Sequence, residues 1–141
     1  MSARNQRFYS RLQLAAHALK KISDRQLLDV AGVTTAQMSA LALIASEEAS
    51  TQTLLAKRLG LNDSAITAMM RRLIDLDLVE RVRDDQDGRA WLLKLTQSGA
   101  ETVERAGAAG DQASIQVDAL LGEKTIATVV AAMELIINEL D

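Results

Sequence analysis

The chain has 141 residues, of which 48% are hydrophobic and 2% aromatic, with no proline, no cysteine, one histidine and a formal net charge of −3. That length suits a single domain with its own core, and a core built from aliphatic residues without proline predicts a largely helical fold. The lack of cysteine excludes disulfides and thiol chemistry, and a single histidine argues against a protein-built zinc site, so we expect neither a metal nor a cofactor.

The N-terminal part of the chain is predicted to be helical. Its first ten residues, MSARNQRFYS, lack the hydrophobic segment of a secretory signal, and no apolar run is long enough to span a bilayer, so we expect a cytoplasmic protein. A long helix is predicted from Ala3 to about Val30, with an apolar stripe at helical spacing that ends at Gly32. Thr34 or Thr35 is then placed to cap a second helix, which runs to about Ser46.

Two short helices separated by a tight turn follow. The first spans Thr53–Leu59 and ends at Gly60, and Asn62 is placed to cap the second. Apolar residues of the second helix recur at three- and four-residue steps and face the core: Ile66, Met69, Met70, Leu73 and Leu76. Its opposite face carries small polar residues near the N-terminus and cations one to two turns later: Ser64, Thr67, Ala68, Arg71, Arg72 and Asp75. Such a face suits contact with base edges and then with phosphates.

A β-hairpin and two more helices complete the predicted elements. Val79–Arg83 alternates with period two, residues 84–89 form a polar turn for which we expect a long, mobile tip, and residues 90–95 return as a strand. One helix is predicted from Ser98 to Leu121, across the stretch AGAAG, and a last one from Glu123 to Leu140. The two terminal helices carry more apolar surface than the middle of the chain can cover, which indicates a dimer interface, although packing within one chain is the alternative.

Charge is distributed unevenly along the chain. Residues 1–50 contain six Lys or Arg against four Asp or Glu, residues 51–96 contain eight against seven, and residues 97–141 contain two against eight. Negative charge is therefore concentrated in the C-terminal part, as expected if only one side of the molecule meets phosphate.

Several motifs in the middle of the chain occur in the order and spacing typical of MarR-type transcription regulators, which the chain resembles. These motifs are Leu-Val-x-Arg at 78–81, Asp-x-Arg at 87–89, Leu-Thr-x-x-Gly at 95–99 and the upstream segment VTTAQMSALALI at 33–44. The resemblance implies a mainly α fold with a small β wing, in which a winged helix-turn-helix core adjoins long N- and C-terminal dimerisation helices. Within a single domain, residues 1–32 and 98–141 would supply those helices and residues 33–97 the DNA-binding lobe. The implied partner is a pseudo-palindromic operator, bound by a homodimer.

The resemblance and the helix faces together define candidate DNA-binding residues. They are Lys57, Ser64, Thr67, Ala68, Arg71, Arg72 and Arg89. Each has an ordinary alternative: the hydroxyls as solvent-facing residues, one arginine of the helix paired with Asp75, Arg89 paired with Asp87, and Lys57 as a surface residue. Trp91 is interpreted as packing within the wing. Asp77 stands where the family usually has glycine, and Ala68 and Gly88 stand where it often has basic residues, so the DNA affinity is expected to be modest or strongly dependent on salt.

A ligand site is a further implication of the resemblance. Family members that sense aromatic acids often use an arginine and a histidine of the first helix, and Arg11 and His17 are similar in type and position. A guanidinium and an imidazole are suited to a carboxylate, but six residues on a helix place the two side chains about 120° apart, so they converge only with help from a partner subunit. A partly buried interface histidine is the alternative interpretation of His17.

Three function classes compete. The leading prediction is a dimeric, sequence-specific DNA-binding transcription regulator of the MarR type, a repressor modulated by a small ligand such as an aromatic acid. The alternative is a winged-helix protein-interaction module that does not bind DNA, which Ala68, Gly88 and the near-neutral middle segment favour. An enzyme is not expected, because the sequence has no cysteine nucleophile, phosphate loop or metal-ligand cluster.

Overall fold

The computed structural model describes residues 2–46 and 51–140, which form helices and one two-stranded antiparallel sheet. In chain order the elements are α1 (Ala3–Ala31), α2 (Thr35–Ser46), α3 (Gln52–Leu59), α4 (Asp63–Asp75), β1 (Val79–Arg83), β2 (Trp91–Leu95), α5 (Gln97–Ala108), α6 (Gln112–Leu121) and α7 (Glu123–Leu140). A mainly α fold with a small β wing and long helices at both ends is therefore confirmed. Its contacts define two compact units, residues 24–110 and residues 1–23 with 111–141.

The helices differ from membrane-spanning segments in length or hydropathy. No single helix of the described ranges combines the length and hydropathy needed to cross a membrane, and only the bent pair α1 and α2 meets both conditions when taken together.

The core of the 24–110 unit is formed by one apolar face from each of its elements. Its largest fully buried side chains include Leu41 of α2, Leu55 of α3, and Ile66, Met70 and Leu73 of α4. Val79 of β1 and Leu93 of β2 close the cluster from the sheet side. Helix α4 is therefore held on its inner face by apolar burial, the dominant favourable contribution to folding. The outer face of α4 is exposed to solvent.

Local signals set the ends of α2, α3 and α4 much as the sequence predicts. Thr34 caps α2, because its hydroxyl accepts from the Gln37 amide at 3.2 Å while the Gln37 side chain accepts from the Thr34 amide at 2.9 Å. Gly60 ends α3 with a left-handed φ of 64°, and Asn62 caps α4 by accepting from the Ala65 amide. Asp77 adopts φ 57° after α4, so an aspartate performs the turn for which glycine is better suited.

The hairpin returns the chain to this core. Strands β1 and β2 pair in antiparallel register, from Val79 opposite Leu95 to Arg83 opposite Trp91. The Thr96 hydroxyl then caps α5 by accepting from the Gly99 amide at 2.9 Å, and it donates to the Asp77 carbonyl at 2.6 Å. Gly99 packs directly against the Leu78 carbonyl, where a Cβ atom would collide with the oxygen. The Leu-Thr-x-x-Gly motif thus joins the end of the wing to the end of α4.

The prediction of one helix from Ser98 to Leu121 is wrong. Helix α5 ends at Ala108, Gly110 takes a left-handed φ of 73°, and α6 begins at Gln112. Glycines in AGAAG weaken the helix. The carbonyl oxygens that lose their helical partners at the break accept hydrogen bonds from the Gln26 side-chain amide, and the bond to the Gly110 carbonyl is 2.9 Å long. Asp111 then supplies a new N-cap, so the break has its own hydrogen bonds.

The Asp111 cap makes the stability of α6 dependent on pH. Hydrogen bonds from the Ser114 hydroxyl, the Ser114 amide and the Ala113 amide hold the pKa of this carboxyl below its ordinary value of 3.8. A carboxyl with a lowered pKa in the folded state stabilises that state above its unfolded pKa, and this contribution is lost as the pH falls through the folded pKa. We expect Asp111→Ala to lower the free energy of unfolding by about 1 kcal/mol at pH 7.

That difference should shrink below pH 3.8, the ordinary pKa of the group, as measured by urea unfolding at fixed protein concentration. Asp118→Ala is the matched control, because Asp118 lies on the same helix without serving as its cap. Equal destabilisation by both substitutions, or a loss that does not change with pH, would contradict the capping role.

Candidate nucleic-acid interface

The outer face of α4 is exposed along its whole length. Its inner residues Ile66, Met70 and Leu73 are buried, while the residues predicted to face DNA are all exposed. Those exposed residues are Ser64, Thr67, Ala68, Arg71, Arg72 and Asp75. The helix is thus fixed by one side and presents hydroxyls and cations on the other, which is the arrangement that a helix lying in the major groove requires.

Two shallow depressions lie along this face. One has a volume of about 340 Å³ and is lined by Asp63, Ser64, Thr67, Ala68 and Arg71. The other has a volume of about 230 Å³ and is lined by Thr67, Arg71, Ile74, Asp75 and Arg81. Thr67 and Arg71 line both depressions, so they form the centre of the exposed surface.

Helix α4 carries two arginines, Arg71 and Arg72, whose side chains are exposed. Within residues 2–46 and 51–140, the guanidinium groups of Arg71 and Arg72 have no hydrogen-bond or ion-pair partner. The alternative in which one of them pairs with Asp75 is therefore not observed. Both cations are free to meet a phosphate without first breaking a contact within the protein.

A hydrogen-bonded chain that sequence reasoning missed connects three elements beside this face. Arg81 of β1 donates from Nη2 to Gln52 Oε1 at 3.1 Å, and Gln52 of α3 donates from Nε2 to Thr67 Oγ1 of α4, also at 3.1 Å. Arg81 was visible as part of the Leu-Val-x-Arg motif. Gln52 carried no local signal, because its partners lie 15 and 29 residues away along the chain.

The wing tip is organised by hydrogen bonds of its own. Asp84 accepts from the Gln86 amide at 3.0 Å, and Asp87 accepts from the Arg89 amide at 3.1 Å. The carboxylate of Asp87 therefore binds the backbone of Arg89, and the exposed Arg89 guanidinium has no partner in the described part of the chain. The predicted mobility of the tip stays a prediction.

Arg83 holds the base of the tip. Its guanidinium carbon lies 3.9 Å from the centre of the Trp91 ring, and Nη1 donates to the Gly88 carbonyl at 3.1 Å. This stacking places Trp91, which is 48% exposed, in contact with its own wing, as the packing interpretation predicts.

Removing this clamp should be visible in the fluorescence of the wing. Trp91 is the only tryptophan of the chain, so emission reports on this ring alone. We expect Arg83→Met to raise the rate of collisional quenching of Trp91 by acrylamide severalfold, because the cation that covers one face of the ring is lost. Lys94→Met, which alters an exposed cation on the neighbouring strand, serves as the control. Quenching that is the same in wild type and Arg83→Met would refute the clamp.

The remaining candidate residues lie elsewhere. Lys57 is exposed in the last turn of α3. Arg11 and His17 are exposed on α1. A cleft of about 330 Å³ in the unit that contains them is lined by other residues, among them Leu19, Ser23, Asp111, Ser114, Asp118 and Ile126. The structure therefore does not bring Arg11 and His17 together at this cleft, and their binding role stays a prediction.

Comparison with known proteins identifies relatives of this arrangement. Residues 31–90 match the model of the MarR family. Over 82 residues the chain is 33% identical to the organic hydroperoxide resistance transcriptional regulator of Bacillus subtilis (strain 168), a match that covers 58% of this chain and 56% of that relative. The chain spans only about half the length of the curated relatives it matches.

Solved structures are similar over nearly the whole chain. A mutant MarR from E. coli complexed with operator DNA has a TM-score of 0.76 and 26% identity, with 96% of this chain and 99% of that chain covered. The PcaV transcriptional regulator from Streptomyces coelicolor, in complex with its natural ligand, has a TM-score of 0.71 and 26% identity, with 95% of this chain and 92% of that chain covered. The exposed helix and wing described above thus belong to a fold that other proteins use with DNA.

Proposed function

We propose that this chain, whose residues 31–90 match the MarR family model, is a dimeric, sequence-specific DNA-binding transcription regulator of that family. In this proposal α4 enters the major groove, where Ser64 and Thr67 meet bases or phosphates and Arg71 and Arg72 meet phosphates, while Arg89 reaches the adjacent minor groove. The single observation that carries the proposal is the outer face of α4, whose hydroxyls and guanidinium groups are exposed on a helix anchored by buried Ile66, Met70 and Leu73. Ala68 lies on the same face and allows close approach of the DNA.

The terminal helices support the dimeric part of the proposal. None of the described residues of α1 or α7 is buried, and large apolar side chains of these helices stand open, with Leu135 66% exposed and Leu140 81% exposed. Apolar surface of this extent is stabilised by burial against a partner. A second copy is the partner that would also place two recognition helices on a pseudo-palindromic operator.

Repression and its control by a small molecule complete the proposal. A ligand changes DNA affinity only through different affinities for two spacings of the recognition helices, and a pocket bordered by dimer helices is a place where such a difference arises. The relative PcaV, solved with its natural ligand, is consistent with this mode of control. We retain Arg11 and His17 as the residues proposed to meet an aromatic acid, with a partner subunit completing the site.

A second candidate function is a winged-helix module that binds protein instead of DNA. Two exposed carboxylates on the candidate interface favour it. Asp63 and Asp75 line the same depressions as Thr67 and Arg71. Carboxylates repel phosphate, so a surface devoted to DNA contains fewer of them.

Selection from a random duplex library, followed by fluorescence anisotropy at several salt concentrations, separates the two functions. Each neutralised phosphate contributes about −0.9 to the slope of log affinity against log salt. Arg71 and Arg72 in each of two copies therefore contribute about −3.6 to the slope for the selected duplex. Enrichment of no sequence together with a slope near zero would reject DNA binding and favour the protein-interaction module.

A further inference from the structure

The chain of hydrogen bonds through Gln52 has a direction that its donors and acceptors determine. A guanidinium has donors and no acceptor, so the atom of Gln52 that faces Arg81 must be the carbonyl oxygen Oε1. The amide nitrogen of Gln52 then faces Thr67 and donates to its hydroxyl oxygen. Arg81 thereby removes the ambiguity between oxygen and nitrogen that an isolated glutamine side chain has.

The Thr67 hydroxyl consequently acts as an acceptor in this chain, and its hydrogen takes no part in the bond to Gln52. Hydroxyls within helices commonly donate to the carbonyl four residues earlier, and Ser39, Thr102 and Thr128 of this chain all do so, at 2.8 to 3.1 Å. Thr67 makes no such bond within the described residues, and its oxygen accepts from Gln52 instead. Its hydrogen therefore has no acceptor among the described residues, and it lies at the centre of the exposed face of α4, where a partner outside the protein can accept it.

We propose that Gln52 and Arg81 are positioning residues that present the Thr67 hydroxyl to DNA as a hydrogen-bond donor. This inference rests on the proposed function. The group that Thr67 meets is then an acceptor, either a phosphate oxygen or an acceptor on a base edge, such as purine N7, guanine O6 or thymine O4. Amino groups of adenine and cytosine are disfavoured at this position, because they require an acceptor from the protein.

The substitution Gln52→Glu tests this polarity. A glutamate keeps the bond from Arg81, but it replaces the amide donor facing Thr67 with an acceptor, so the threonine hydrogen turns inward. Wild-type protein should lose about tenfold in affinity when the acceptor is removed from the selected duplex, the effect of one hydrogen bond. Methylphosphonate linkages remove phosphate acceptors and base analogues remove single groove acceptors, so the sensitive position identifies which source Thr67 meets.

Two variants should be insensitive to that same modification. Thr67→Val lacks the hydroxyl, and Gln52→Glu directs it away from DNA, so both should bind the modified and unmodified duplexes equally. The double variant should show no further loss of discrimination, because both changes act through one hydrogen. Gln97→Glu adds the same charge on exposed α5 and should keep the tenfold sensitivity of the wild type.

The outcomes separate the inference from the function on which it rests. If wild-type protein binds the selected duplex with a steep salt dependence while Gln52→Glu remains as sensitive as the wild type to the modification, the polarity inference is overturned and DNA binding stands. If Gln52→Glu loses affinity relative to the wild type by the same factor for modified, unmodified and random duplexes, the inference is also overturned, because the variant then still discriminates between the duplexes and added charge alone produces that loss. If wild-type protein binds no duplex, both fail.

Discussion

Replacing Gly99 by alanine is expected to lower the free energy of unfolding by about 3 kcal/mol. Gly99 is buried in the first turn of α5, and its α-carbon lies against the Leu78 carbonyl, where a Cβ atom would overlap the oxygen. That carbonyl cannot retreat easily, because it also accepts a hydrogen bond from the Thr96 amide at 3.1 Å. Separation of α5 from the start of β1 would disturb the wing and the end of α4 together.

Gly107→Ala is the matched control for this prediction. Gly107 lies on the same helix and is exposed, and a Cβ atom there would meet nothing within 4 Å. Alanine at an open helical position should raise the free energy of unfolding by about 0.5 to 1 kcal/mol. Urea unfolding of the two variants at one protein concentration compares them, and similar stability in both would show that the close packing of Gly99 on Leu78 is absent.

Replacing Arg89 by alanine is expected to weaken binding to duplexes of every sequence by about 100-fold, because a dimer loses one charge-assisted interaction of about tenfold from each copy. The Arg89 side chain is exposed at the wing tip, its backbone is fixed by Asp87, and its guanidinium has no partner within residues 2–46 and 51–140. The salt slope should become shallower by about 0.9 for every phosphate that the dimer no longer neutralises, so by about 1.8 if each copy loses one. Ser64→Ala and Thr67→Ala should instead change sequence preference where the lost hydroxyl meets a base edge, and only overall affinity where it meets a phosphate.

Arg105→Ala provides the charge-matched control for Arg89. It removes one exposed guanidinium from α5, and the only bond of that guanidinium to a described residue is to the Thr102 hydroxyl. Anisotropy titrations with the selected duplex should give wild-type affinity and salt slope for this variant. If Arg89→Ala behaved in the same way as Arg105→Ala, the assignment of the wing to DNA contact would be wrong.

Those features of the fold that depend on neighbouring residues could be read from the sequence. The N-cap at Asn62 and the helix end at Gly60 each depend on a few adjacent residues, and each is present. Strand β1 is present too, but burial along it does not alternate from residue to residue. The prediction of one helix over residues 98–121 is wrong because it used adjacent residues alone. The apolar pattern continues across the break, whereas the Gln26 side chain that accommodates the break lies 84 residues away from Gly110.

In the candidate site, too, some features follow from the local sequence and others depend on residues that are distant along the chain. Helical periodicity alone predicts that Ser64, Thr67 and Arg71 share one exposed face. The orientation of the Thr67 hydroxyl depends on Gln52 and Arg81, which come from two other elements and become neighbours only when the lobe folds. Likewise, the packing of Trp91 was predictable, but its partner Arg83 was not, since pairing across a hairpin depends on register.

Hydroxyl-radical footprinting of the purified chain on its selected duplex tests the central claim most directly. Two copies that each insert α4 into a major groove and Arg89 into the flanking minor groove predict two protected half-sites related by two-fold symmetry, with centres about 10 base pairs apart. Uniform cleavage along the duplex, or one asymmetric protected segment, would contradict a paired recognition surface built from α4 and the wing.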